Sequence, residues 1–205
     1  MLNGNRTKSN RGRSPRDLYI TPKELANAAT VQLDIDEFPH KHFHHGLDAG
    51  CGTGIWGKAM YGLHFTSIEG VDIEPNITDN LPYYNRIHNG DFLEFDVPYK
   101  YDVVFGNPPY SLAQAFIEKA LYNVNEGGYV YFLLRLSFLE GIERGKGFFP
   151  FYPPKRVYVS SRRPSFFSTN GRHTTDTLAY AMFLWQKDYQ GKTELGFLDW
   201  EYSNK

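Results

Sequence analysis

The chain has 205 residues, 41% of them hydrophobic, a length and composition that suit one core of ordinary domain size. Its 22 Lys and Arg against 23 Asp and Glu leave a formal net charge of -1, which excludes a protein that binds polyanions through its overall field. One cysteine excludes an internal disulfide. The chain starts with no apolar run that could serve as a signal peptide or a membrane span, so no membrane partner and a cytoplasmic location are expected.

Residues 1 to 16 hold Arg6, Lys8, Arg11, Arg13 and Arg16 and no acidic residue. A stretch so poor in apolar groups does not fold alone, and residues 1–17 are expected to be a flexible basic arm. It reads equally as a phosphate tether for nucleic acid and as a solvated tail. Residues 18–205 are expected to form a single domain, with no linker that would mark a second. The first helix opens at Thr21-Pro22-Lys23-Glu24, where Thr21 and Glu24 stand in capping-box positions and Pro22 suits the first turn. It is predicted to run to about Ala29, followed by a surface loop through the histidines at 40–45, which lack the spacing of a metal site.

From there short apolar strands alternate with helices, the signature of a mostly parallel sheet covered on both faces. Strands are predicted near 45–49, 67–72, 85–89, 101–105 and 129–135, with helices near 55–62 and 111–123, the latter opened by a second capping box at Ser111 and Gln114. The turn Asn125-Glu126-Gly127-Gly128 separates that helix from the fifth strand. Two further runs, Arg156 to Ser161 and Thr177 to Trp185, are predicted to close the sheet as a C-terminal antiparallel hairpin.

Leu47-Asp48-Ala49-Gly50-Cys51-Gly52-Thr53-Gly54 sits where a strand turns into a helix, and its glycines let the backbone approach a ligand beside exposed N–H donors. Gly52-x-Gly54-x-x-Gly57 with Asp72 about 20 residues on is also the dinucleotide fingerprint, and a dehydrogenase fits this stretch. In either reading the Asp72 carboxylate can accept both hydroxyls of a ribose. Asp48 tilts the choice, because S-adenosylmethionine has no pyrophosphate but carries an ammonium and a sulfonium that favour a nearby carboxylate. Asp91, after Asn89-Gly90, can accept from an adenine amino group, and Phe92 can pack on the ring; alone, Asp91 reads as a turn residue. Cys51, between loop glycines, is expected to pack rather than react.

Tyr101 to Gly106 leads into Asn107-Pro108-Pro109-Tyr110. With this run the chain resembles the amino-methyltransferases of the class I S-adenosylmethionine-dependent superfamily, and the likeness covers nearly everything beyond residue 18. Thr21-Pro22 is similar to the N-terminal motif of the gamma arrangement of DNA adenine methyltransferases, in which the cofactor segment precedes the catalytic one. Small enzymes of this sort occur in bacteriophages and bacteria. The resemblance implies an α/β Rossmann-like fold with a seven-stranded sheet. It implies S-adenosyl-L-methionine as cofactor, S-adenosyl-L-homocysteine as product, and N6 of adenine in DNA as target, with the base flipped out. Cofactor contacts then fall to Thr21, Pro22, Asp48, Gly50, Gly52, Asp72, Asp91, Phe92 and Asn107.

The tetrapeptide also makes chemical sense. A base amine is a weak nucleophile because its lone pair is delocalised, so its two hydrogens must be held, by the Asn107 side-chain oxygen and the Pro108 carbonyl, while two prolines keep those acceptors aimed. Asn107 is no strong base, so the proton leaves during or after methyl transfer. Asn107, Pro108 and Tyr110 are the expected catalytic residues. Pro109, Tyr110, Phe166 and Phe167 are the expected substrate contacts, a second ring being needed because one stack returns only about 1–3 kcal/mol against the cost of extrusion. Arg144, Lys146, Phe148, Phe149, Arg162, Arg163, Arg172 and His173 are the residues expected to read nucleic acid. The same tetrapeptide serves enzymes that methylate adenine or guanine N2 in RNA or the glutamine amide of release factors, and a non-catalytic nucleic-acid-binding subunit is a further alternative.

Overall fold

The runs Tyr129–Leu134 and Tyr180–Trp185 contain no charged or amide side chain, and strands of that composition need cover on both faces. The computed structural model describes residues 19–37, 43–63, 65–97, 99–168, 173–175 and 177–201; the basic arm at 1–17, His40, His42 and Arg172 lie outside them, as does the side chain of Phe167. The elements are β1 (Tyr19–Ile20), α1 (Lys23–Glu37), β2 (His45–Ala49), α2 (Ile55–Met60), β3 (Ser67–Asp72), β4 (Arg86–Asn89), β5 (Tyr101–Gly106), α3 (Ala113–Asn123), β6 (Val124–Arg135), α4 (Ile142–Gly147), β7 (Arg156–Ser160), β8 (Ser165–Ser168), β9 (His173–Thr175), β10 (Tyr180–Gln186) and β11 (Glu194–Leu198).

Eight strands form one sheet in the order β11-β7-β10-β6-β5-β2-β3-β4. Every neighbouring pair is parallel except those of β10, which runs antiparallel between β6 and β7. Tyr129, Tyr131 and Leu133 of β6 join Tyr180, Met182 and Leu184 of β10 under α1 and α2. The alternate residues Val130, Phe132, Leu134, Ala181, Phe183 and Trp185 pack with α3 and with Phe138 and Phe148 on the opposite face. Burial of each large side chain here contributes about 1.5–3 kcal/mol, so these two strands anchor both layers.

Several boundaries differ from the sequence expectation, each for a local reason. Helix α1 runs on to Glu37, because Leu33 continues the buried stripe of Leu25, Ala26 and Ala29. Its acidic end is held at the start of β7: Lys155, just before the strand, pairs with Glu37 at 2.5 Å and Arg156 with Asp36 at 3.2 Å. Helix α2 stops at Met60, followed by a 3-10 turn. The capping box predicted at Ser111 and Gln114 is absent: Tyr110–Leu112 form a 3-10 turn, Leu112 stands at the cap of α3 without a side-chain bond, and Gln114 donates to Glu118 instead. The Asn125–Gly128 turn is drawn into β6 as an irregularity, with the pairing to β5 shifting between Tyr101 and Val103.

The sheet has eight strands rather than seven because β11 adds in parallel to β7, with the Tyr158 ring packed against Gly196. The basic loop between β7 and β10 also holds a hairpin, β8 and β9, on which β1 pairs antiparallel through Ile20 and Phe167. No described helix is long and apolar enough to cross a membrane.

Candidate active site

Strand order reverses on either side of β2, which pairs with β3 on one edge and β5 on the other. In open α/β sheets the crevice for a ligand lies beyond the strand C-termini at such a switch point. The glycine loop fills this place. Gly50, Gly52 and Gly54 have φ of 77°, 48° and 79°, a region closed to most L-residues, and this lets the chain fold back from β2 into α2. The loop is pinned to the end of β3: Gly50 and Cys51 N–H donate to the Val71 carbonyl, and Gly52 N–H donates to Asp72 Oδ2 at 2.9 Å. Asp72 Oδ1 accepts from Glu74 N–H, so backbone donors fix both oxygens and leave further lone pairs open.

Asp48 is fully buried beneath the loop. Its Oδ2 accepts the Tyr84 hydroxyl at 2.5 Å and the Gly57 amide at 3.2 Å, and the Gly57 N–H is shared with the Tyr84 oxygen at 3.0 Å. Oδ1 has no hydrogen-bond partner among the described residues. It points to the junction of β2 and β5, where a Cβ placed on Gly106 would come within 3.1 Å of it. Burial pushes the carboxyl up to about 7 and the Asp72 charge adds to this, while the bonds from Tyr84 and Gly57 oppose it. Cys51 is buried, and burial followed by the Asp48 and Asp72 charges drives its thiol well above the ordinary range, which leaves it unreactive.

On the other side of β3, Asp91 is exposed and its Oδ1 accepts from Leu93 N–H in a turn. Phe92 is 2% exposed, its ring 4.9 Å from that of Phe116 between sheet and α3. Asp91 is thus a solvent-facing turn residue and Phe92 a core residue packed on α3.

The tetrapeptide begins where β5 abuts the glycine loop: a Cβ on Gly106 would lie 2.8 Å from the Ala49 carbonyl. Asn107 Nδ2 donates to Thr21 Oγ1 at 3.3 Å, and Trp56 Nε1 of α2 donates to the same oxygen at 3.2 Å. Thr21 is buried, and the adjoining Pro22 carbonyl accepts from Ala26 N–H, so Pro22 sits just before the helix. One hydroxyl thus joins the N-terminal segment, helix α2 and the tetrapeptide. Thr21→Val, which removes that acceptor and leaves the indole N–H buried without it, is expected to cost about 1–3 kcal/mol, whereas Thr21→Ser keeps the oxygen and most of the stability. Thermal melts of the two variants check this; equal melting points would refute it.

Pro108 is buried and Pro109 exposed. The Tyr110 ring lies between the Arg135 guanidinium, 4.8 Å from its centroid, and the Tyr180 ring at 5.5 Å. Burial, then the neighbouring Tyr180, holds its phenol well above the ordinary range, opposed by Asn107 and Arg135. Phe166 is 1% exposed and meets Tyr180 edge-on at 5.0 Å, so it stiffens the wall behind Tyr110 rather than offering a face to a base. Two expected recognition residues are likewise structural. Phe148 is buried against Phe138, and Arg144 donates to the Phe138 and Glu140 carbonyls with its guanidinium over the Phe138 ring. Lys146, Arg162 and Arg163 remain exposed, with Arg162 paired to Glu201.

Trp56, Tyr84, Arg135 and Tyr180 reach this site without having been singled out from the sequence. Arg135 and Tyr180 meet it only because they are partners in the β6–β10 register. Trp56 and Tyr84 had one available signal, the small residue at Gly57, which marks a close neighbour.

No protein-family model matches the chain, and no curated protein sequence matches it. Solved structures do. A protein from Listeria monocytogenes described as a class I S-adenosylmethionine-dependent methyltransferase superposes with a TM-score of 0.62 at 14% identity, over 90% of this chain and 67% of its own. The methyltransferase subunit of a type I restriction-modification system from Streptococcus thermophilus gives 0.66 at 17%, over 88% of this chain and 47% of that one. A ribosomal protein L11 methylase from Lactobacillus delbrueckii gives 0.59 at 18%, over 83% and 82%. The chain has the class I, Rossmann-like methyltransferase fold, extended by β11.

Proposed function

We propose that this chain is an S-adenosylmethionine-dependent methyltransferase that modifies the exocyclic amine of a nucleobase, N6 of adenine in DNA. The observation that carries the reading is the seating of Asn107 beside the glycine loop, with Gly106 against Ala49 and the Asn107 amide anchored on Thr21. The glycine loop and Asp72 suit an adenosine, Asp48 suits a cationic amino-acid end, and the adenine amino group is assigned to Asp91. When bound, the cofactor supplies an electrophilic methyl group.

The chain's own residues do the rest. The Asn107 side-chain oxygen accepts one hydrogen of the target amine and the Pro108 carbonyl the other, with Thr21 holding the amide through Nδ2. The prolines remove backbone donors and stiffen the turn. Tyr110, buttressed by Tyr180 and Arg135, is assigned the stack on the base, with Pro109 and Phe167 as its further contacts. Segment 18–205 acts as one catalytic domain, with the basic arm at 1–17 and Arg163 meeting phosphates. The gamma-like placement of Thr21-Pro22 ahead of the tetrapeptide supports DNA as substrate, and the likeness to a methyltransferase subunit of a restriction-modification system is compatible with it.

The test supplies methyl-labelled cofactor to the purified chain with duplex DNA, single-stranded DNA and RNA, followed by nucleoside mass spectrometry. N6-methyladenine in DNA is expected. Label confined to RNA would move the substrate, and bound cofactor without transfer to any acceptor would mark a non-catalytic subunit.

A further inference from the structure

Tyr84 lies just before β4, far in sequence from the glycine loop, yet its hydroxyl is the nearest donor to Asp48. An O–H···O separation of 2.5 Å is at the short end of charge-assisted bonds. Together with the Gly57 amide, this bond occupies Oδ2 alone. Oδ1 is left buried and unpartnered among the described residues, under the β2–β5 junction where the ligand crevice opens. Burial with one oxygen unpartnered disfavours the charged form of such a carboxyl, and the arrival of a positive charge above the junction favours it.

We propose that cofactor binding by this chain is proton-linked: the Asp48 carboxyl, positioned by Tyr84 and Gly57, releases one proton to solvent when the cofactor's ammonium settles over its open oxygen. Tyr84 is then a positioning residue, holding one oxygen so that the other is kept for the ligand. The inference rests on the cofactor reading above and adds to it a residue and a proton.

The groups that face Asp48 are few. Gly57 of α2 offers an uncharged amide, Gly106 of β5 carries nothing titratable, and β3 contributes the Asp72 charge. Tyr84 and Cys51 are both raised, by burial first and the Asp48 charge next, and stay neutral near pH 7. Asp48 is raised to about 7. The sign follows: a cation favours the ionised form, so affinity is full above about pH 7 and falls with acidification by about tenfold per pH unit. At alkaline pH it falls again as the ammonium itself loses its proton.

Calorimetric titration of the full chain with S-adenosylhomocysteine, in two buffers of different ionisation enthalpy across pH 5.5 to 9 as roughly the window around that carboxyl, reads this directly. Wild-type protein is expected to release close to one proton on binding below about pH 7. Asp48→Asn is expected to lose the acid limb and release none. Tyr84→Phe keeps the ring but removes the donor that favours the ionised carboxylate, so its acid limb moves up by about one pH unit, affinity at neutral pH falls about tenfold, and raising the pH restores it. A merely structural loss would not be rescued by base. 5′-Methylthioadenosine, which has the adenosine and thioether but no ammonium, is expected to bind without proton release. Ligand binding with no proton release in wild type, or an identical pH profile in Asp48→Asn, overturns the linkage while leaving the cofactor assignment intact. Failure of both adenosine ligands to bind overturns the cofactor assignment and the linkage with it.

Discussion

Asn107→Ala is expected to lower methyl transfer by about 10³-fold while leaving the affinity for S-adenosylhomocysteine within about threefold of wild type. The amide is anchored on the side of Thr21 through Nδ2, so its loss removes an acceptor for the target amine without touching the carboxylates beneath the glycine loop. Without that acceptor the amine keeps its lone pair in the ring and presents poor geometry to the methyl group. Asn107→Asp retains an oxygen at the same place and should keep about a tenth of the activity or less, since an anion beside the sulfonium also stabilises the ground state. Single-turnover rates with labelled cofactor, paired with equilibrium binding, separate the two quantities. Activity of Asn107→Ala within tenfold of wild type would remove the tetrapeptide from the mechanism.

Gly57→Ala is expected to destabilise the fold by about 3–5 kcal/mol, combining overpacking with a lost charge-assisted bond. A Cβ there would fall 2.1 Å from the Tyr84 ring and 2.3 Å from its oxygen. Tyr84 cannot yield easily, because it is buried and its hydroxyl serves Asp48. Moving the ring strips a donor from a buried carboxyl; leaving it in place forces α2 away from β2. Gly62→Ala is the control, since a Cβ at that position meets nothing within 4 Å. In a chain of this size each kcal/mol shifts the melting point by about 2–4 °C, so Gly57→Ala should melt roughly 6–20 °C lower and Gly62→Ala close to wild type. Equal melting points for the two would show that the ring yields freely.

What could be read from the sequence followed from burial on two faces. Strands β6 and β10 stood out because both of their sides are covered, which leaves no room for polar residues in Tyr129–Leu134 or Tyr180–Trp185. The end of α1 was hidden by Val31 and Ile35, which are 58% and 65% exposed, and by acidic residues that look like a loop until Lys155 and Arg156 are brought to them. Strand β11 was hidden because Leu195 and Phe197 point outward at the sheet edge and give no buried alternation. In the site, the glycine loop, Asp72 and the tetrapeptide carry local signatures, each in one stretch of chain. Tyr84, Arg135 and Tyr180 act through partners far away in sequence, and no spacing rule links them. The same separation explains Phe166 and Phe148: an aromatic residue in a loop reads as a surface stack until the sheet beside it is seen to need filling.

The pairing of β1 with β8 bears on how the protein is made. Ile20 leaves the ribosome early and its partner Phe167 late, so the strand that seats Thr21 has nothing to pair with until most of the chain has emerged. Contacts of such long range close slowly. The nascent chain is therefore expected to build its β2–β5 centre first and to fasten the N-terminal segment last, and an internal deletion of the β8–β9 hairpin that keeps β10 should yield a folded glycine loop whose N-terminal segment is left unlatched.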